Sequence, residues 1–274
     1  MVNSQTPPQP DWLVAAVQRV FKPIVRLLVG RMACPVAIDL LKEAYIAEAT
    51  RQLINEEGRK RATKSALALK TGLDTRVIAS LEAAPRSETV SAADLTSEAA
   101  VLHAWSSHKD FVDPASGKPR DINIYGRRGT FQNLVMRYAG RNVTCPTVLT
   151  SLTAGGNVEL VGNDHVRLLN PHFGSTTDEQ RVAIESGSVA LERMGRHVVH
   201  GFRNETGTES TWPQQARTGK NLPAAALKDL PSRLDQLLSS QADAAEAVLE
   251  AQPAAEGDEE SRTAGICSFY WEES

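Results

Sequence analysis

The chain has 274 residues, 41% hydrophobic and 23% charged, with a formal net charge of −3. That composition excludes a wholly disordered chain, a collagen and a disulfide-stapled miniprotein, and it leaves room for one large domain or two small ones. Charge is uneven: residues 241–274 carry nine Asp/Glu and one Arg, a net −8, so residues 1–240 hold a net +5.

Residues 1–10, polar and Pro-rich, are expected to be a disordered lead-in and not a signal peptide. From Trp12 to Val29 the apolar residues Leu13, Val17, Val20, Ile24 and Leu27 recur at steps of three and four, with Arg19, Lys22 and Arg26 on the other face. That is an amphipathic helix, and Pro23 predicts a kink or a break in it. No apolar run reaches the roughly 20 residues of a membrane span. After a loop at Gly30–Ala33, Pro35 suits a first helical turn. Ala37, Leu41, Tyr45 and Ala49 then repeat every four residues, predicting a second helix that ends near Glu57–Gly58. The densest positive charge follows: Arg59, Lys60, Arg61 and Lys64.

The strongest pattern is TKSALALKTGLDTRVIASL, residues 63–81. A short helix over about 65–71 meets Gly72, which can take the left-handed conformation that ends a helix and turns the chain. Leu73 plugs the turn, and Asp74 is a natural N-cap for a helix starting at Thr75. Leu73, Val77 and Leu81 would face inward with Ile78 beside them, and small Ala66 would let the two helices cross closely. This is a helix-turn-helix pattern.

Beyond it, Val90–Asp94 reads as a polar connector and Ser97–Ser107 as a third helix carrying Val101, Leu102 and Trp105. The stretch FVDPASGKPRDINI, residues 111–124, reads as two strands around a turn. A hairpin after a helix-turn-helix makes residues 11–125 a winged helix. Residues 126–172 are expected to repeat the plan, with helices at Thr130–Ala139 and Thr144–Leu152 and a hairpin of Val158–Val161 and Val166–Leu168 around a Gly162-Asn-Asp-His tip. Residues 176–251 are expected to be helical. In them Ile184, Leu191, Met194 and Val198 fall at heptad-like spacing, interrupted by Gly187 and Ser188. A Leu-rich run from Leu222 to Leu238 is broken by Pro231. These helices either pack on the body or form a dimer seam. Residues 252–265 read as an acidic linker and 266–274 as a terminal aromatic strand or a partner-binding peptide.

The predicted fold is therefore mainly α with small β-hairpins, built as tandem winged helix-turn-helix units with C-terminal helices. Phe21-Lys-Pro-Ile-Val-Arg-Leu-Leu, Leu40-Leu-Lys-Glu-Ala-Tyr, Leu69-Lys-Thr-Gly-Leu and the terminal Phe269-Tyr-Trp-Glu-Glu, with Asn221-Leu-Pro-Ala-Ala-Ala-Leu, resemble an uncharacterised bacterial family, a domain of unknown function with a predicted N-terminal helix-turn-helix. The resemblance implies a bacterial cytoplasmic setting and no established activity.

Catalytic and metal patterns are weak. His197 and His200 share a helix face but lack further ligands for zinc. His165 and His172 flank the second hairpin and could touch phosphate, Gly126-Arg-Arg-Gly129 reads as a weak phosphate cradle or an ordinary flexible connector, and Cys34 and Cys145, each before a proline, read as small buried residues with no His–acid partner assignable from sequence. There is no phosphate-binding Gly loop or nucleophile elbow. No enzyme, cofactor, metal or membrane role is expected. The expected partner is double-stranded DNA. Thr75, Arg76, Ala79 and Ser80 would face base edges, and Lys60, Arg61 and Lys64 would hold phosphates. Arg137, Arg141 and Arg167 are secondary candidates. A homodimer through the C-terminal helices would favour paired half-sites. The alternative is a winged-helix scaffold that grips proteins and not DNA.

Overall fold

A computed structural model describes residues 11–140, 142–174, 178–203, 211–252 and 263–272. It is mainly helical with one small three-stranded antiparallel sheet, and the chain divides into two compact units between Ser175 and Thr176. No helix among the described residues is long and apolar enough to cross a membrane.

The first unit opens with α1 (Asp11–Leu28). It runs unbroken through Pro23, whose missing N–H removes a hydrogen bond without splitting the helix, and it has no buried residue. In α2 (Cys34–Arg51), with Pro35 in its first turn, the buried positions are Val36, Ile46 and Ala49. A π-helical turn, Gln52–Glu56, adds Leu53. The buried face thus differs from the expected one, since Leu41 and Tyr45 are exposed. Then come α3 (Lys64–Thr71) and α4 (Thr75–Ala83). Leu67 of α3 and Ile78 and Leu81 of α4 close a first core with Ile46, Ala49 and Leu53, and Ala66, Leu73 and Val77 pack against it. A short helix α5 (Arg86–Thr89) follows in the segment from 84 to 96. Its first turn is tied to α2, because the Glu43 carboxylate accepts the backbone N–H groups of Arg86 and Ser87.

A second core begins at α6 (Ser97–Ser107), N-capped by Thr96, which accepts from Ala99 N at 3.1 Å. Val101, Leu102 and Trp105 pack with Phe111, with Ile122 of β1 (Ile122–Asn123), with Phe131, Leu134 and Val135 of α7 (Phe131–Tyr138), and with Val148 and Leu152 of α8 (Cys145–Ala154). Val158 and Val166 come from β2 (Val158–Val161) and β3 (His165–Leu168). The sheet order is β1-β3-β2, with Ile122 opposite Val166 on one side and Leu160 opposite it on the other.

The hairpin expected at 111–124 does not form. Only a single bridge, Val112 to Pro119, joins its arms. The Phe111 N–H, which a longer ladder would use, donates instead to His108 O at 2.9 Å, and the intervening turn is held by Asp113 accepting from Ala115 N and Ser116 Oγ. Ile122 pairs instead with β3, some forty residues on. The core therefore groups α6 and β1 with α7–β3, so a division at 125/126 would cut through packed side chains. The first helical group has no wing of its own among the described residues.

In the second unit, α9 (Asp178–Arg203) and α10 (Ala224–Glu250) are continuous, uninterrupted by Gly187, Ser188 or Pro231. None of the α10 residues is buried, and Val182, Leu191, Val198 and Phe202 of α9 keep most of their apolar surface exposed. Residues 263–272 contain no strand, contrary to expectation; Ile266 lies beside Ala242, Ala245, Glu246 and Leu249 of α10. The expected disordered lead at 1–10 lies outside the described residues, as do positions 253–262 of the expected linker.

Candidate nucleic-acid interface

The turn between α3 and α4 is built by four local devices. Thr63 caps α3, its Oγ1 accepting from Ala66 N at 3.3 Å. Gly72 stands at φ 73° and donates its N–H to Ala68 O at 2.9 Å, a left-handed exit that a Cβ would strain. The Thr71 hydroxyl donates to Leu67 O at 2.7 Å and accepts from Leu73 N at 3.2 Å, bracing the corner. Asp74 then caps α4, accepting from Arg76 N at 2.7 Å. The inward apolar side chains dock α4 on α3 and α2, with Ile78 fully buried. The deepest residue is thus Ile78, which periodicity placed only beside the inward row.

Docking in this way turns Thr75, Arg76 and Ser80 to solvent. Ala79 is half-buried, so it borders the outward face without projecting from it. Lys60, Arg61 and Lys64 are exposed, and neither they nor Arg76 form an ion pair among the described residues. Arg59 does not belong with them: its guanidinium lies 3.0 Å from Glu57, which also holds Lys70 at 2.6 Å. Hydrogen bonding from Lys70 keeps the Glu57 carboxyl below its ordinary range. Lys64 occupies the first turn of α3, where the helix end is already positive, so it adds to a potential that attracts anions.

The secondary candidates fare differently. Arg137 pairs with Asp110 at 3.1 Å and lies over the Tyr138 ring. Arg167 of β3 reaches Asp121 beside β1 at 2.7 Å and Glu159 of β2 at 3.0 Å, clamping the sheet. The Arg167 hydrogen bonds hold the Asp121 carboxyl low. Arg141 lies outside the described residues. His165 pairs with Asp164 at 2.7 Å. His200 stacks on Trp212 at 4.2 Å between ring centroids, and no cluster of three or more metal-ligating side chains occurs among the described residues. Cys145 is buried and burial pushes its thiol up, away from nucleophilic use. Sequence reading missed the Glu43 tie to α5, because nothing local marks a carboxylate whose partners lie 43 residues away.

The model of a family of unknown function (DUF6502) matches residues 11–176. No curated protein matches the chain, and no solved structure does.

Proposed function

The chain belongs to the DUF6502 family, a family of unknown function, and we propose that it is a double-stranded-DNA-binding protein acting in transcription regulation, with α4 as its reading helix. One observation carries this reading. A capped, Gly72-hinged helix pair turns Thr75, Arg76 and Ser80 outward, and three exposed cations at and before the start of α3, Lys60, Arg61 and Lys64, have no acidic partner among the described residues. A helix so mounted fits a major groove. The Arg76 guanidinium suits the O6/N7 edge of guanine, and the hydroxyls of Thr75 and Ser80 suit several base edges. Lys60, Arg61 and Lys64 would grip phosphates and set the register.

Residues 97–168 follow the order helix, strand, helix, helix, hairpin, with the first strand beside the last. That order supports reading them as one winged helix downstream of the helix-turn-helix. The exposed apolar residues of α9 and α10, Leu191, Val198 and Leu237 among them, support a homodimer seam. A cytoplasmic regulator is consistent with this composition.

The test is fluorescence anisotropy with duplexes over a salt series. Arg76→Ala should cost about 1–3 kcal/mol of discrimination at a preferred site and leave non-specific binding nearly intact. Lys60→Ala, Arg61→Ala and Lys64→Ala together should weaken binding to every sequence and lower the salt slope by about 3. Binding unchanged by either set would remove α4 as the interface. A protein partner is favoured by one separate observation: Leu69, on the exposed side of α3, is 90% exposed. Such a side chain suits an apolar contact better than a phosphate backbone, and Leu69→Ser would abolish that partner's binding while sparing DNA.

A further inference from the structure

The loop Gly126-Arg127-Arg128-Gly129 connects β1 to α7, and the fold fixes it in place. Gln132 reaches back over it: its backbone N–H donates to Ile124 O at 2.8 Å, and its Oε1 accepts from Gly126 N at 3.3 Å. The Thr130 hydroxyl donates to Gly126 O at 3.1 Å and accepts from Asn133 N at 3.2 Å, capping α7 and closing the loop together. Gly126 and Gly129 stand at φ 143° and 62°, and a Cβ on Gly126 would come 2.8 Å from Thr130 Cγ2. Glycine is thus required at the closing point, and the backbone of the two arginines is held before any ligand arrives.

Both arginines are exposed, and neither makes a hydrogen bond or ion pair among the described residues. Arg137 and Arg167, by contrast, are each committed to carboxylates. The next helix, α8, buries Cys145, Val148 and Leu152 and turns Thr147, Thr150 and Thr153 outward, while its Ser151 donates to the Glu98 carboxylate at 3.0 Å. Thr144 caps α8, its Oγ1 accepting from Thr147 N. Two guanidinium groups without a partner among the described residues, on a loop closed at both ends, match a phosphate backbone.

We propose that this loop forms a second duplex-DNA contact, so that one chain grips DNA at two places. The α4 surface selects sequence, and Arg127 and Arg128 supply phosphate contacts that select none. The inference rests on the DNA-binding reading above, but it stands on different residues and can fail separately.

The experiment uses the full chain with a random-sequence duplex and with a duplex carrying a site recovered by selection, across a salt series. Arg127→Ala with Arg128→Ala should weaken binding to both duplexes at least about tenfold at low salt and lower the salt slope by about 2, leaving their affinity ratio unchanged. Because both side chains are exposed, the thermal midpoint should stay within a few degrees of the parent. Arg127→Lys with Arg128→Lys should recover most of the slope, which loss of loop structure would not. If the parent binds DNA and the double alanine variant shows its full affinity and slope, the second contact is refuted while α4 stands. If the parent binds neither duplex at low salt, both readings fall. A changed affinity ratio would also overturn the division of labour stated here.

Discussion

Gly72 and Asp74 determine where α4 points, and in the proposed DNA-binding role Arg76 determines what it reads. Replacing Gly72 by Ala puts a Cβ at φ 73° and should cost about 1 kcal/mol. Asp74→Ala removes the cap on Arg76 N and should cost about 1 kcal/mol as well. Denaturant unfolding measures both, and no loss in either variant would contradict the corner as described. Glu43 acts at the same scale. Burial raises its carboxyl, but the N–H groups of Arg86 and Ser87 outweigh this and hold it below the ordinary 4.5. A carboxyl lowered in the folded state stabilises above its unfolded value, and that contribution is lost as pH falls through the folded value. Glu43→Gln should therefore be less stable than the parent at neutral pH, and the gap should close below about 4.5, as thermal midpoints across pH would report. A gap that widens in acid would contradict the tie to α5.

At the scale of elements, local chemistry made much legible. The α3–Gly72–α4 corner and the helix Ser97–Ser107 could be read because caps, a hinge glycine and apolar spacing coincide within a few residues. β1 could not be read this way. Two residues carry no periodicity, and their partner in β3 lies far along the chain, so proximity suggested the wrong hairpin. Periodicity in α2 likewise marked Leu41 and Tyr45, although Glu43 and the placement of α5 turn the other side inward. Sequence alone marks the Gly126–Gly129 loop only as a weak phosphate cradle or an ordinary connector, because only the folded contacts separate its arginines from Arg137 and Arg167, which are paired. The grouping of β1 with the second core is open to a direct check. Ile122 is 4% exposed, and Ile122→Ala should cost about 2–5 kcal/mol by opening a cavity. Hydrogen exchange should then quicken in α7, α8 and β3 and leave α3 and α4 protected. Loss of protection confined to α3 and α4 would place the strand with the first core instead.

For the whole molecule, charge distribution matters more than the net −3. In one chain, an acidic C-terminal segment competes with DNA for the cationic side chains of a basic body. Truncation after Gln252 removes six acidic residues and one Arg, taking the formal charge to +2. The shortened chain should bind duplex DNA more tightly at low salt, the advantage vanishing as salt screens it. Equal affinity would show that the segment does not reach the binding surface. The exposed apolar positions of α1, including Trp12, Val20 and Val25, and of α9 and α10 leave surface for self-association. If two copies do pair, the DNA sites they prefer should be two-fold symmetric.

The most direct measurement is recovery of bound sequences from a random duplex pool by the full chain and by its Arg76→Ala variant, with affinities read across salt. The expected result is steep salt dependence, an enriched motif containing a guanine, and loss of preference at that guanine in the variant. No binding at low salt, or an identical motif from both proteins, would contradict it.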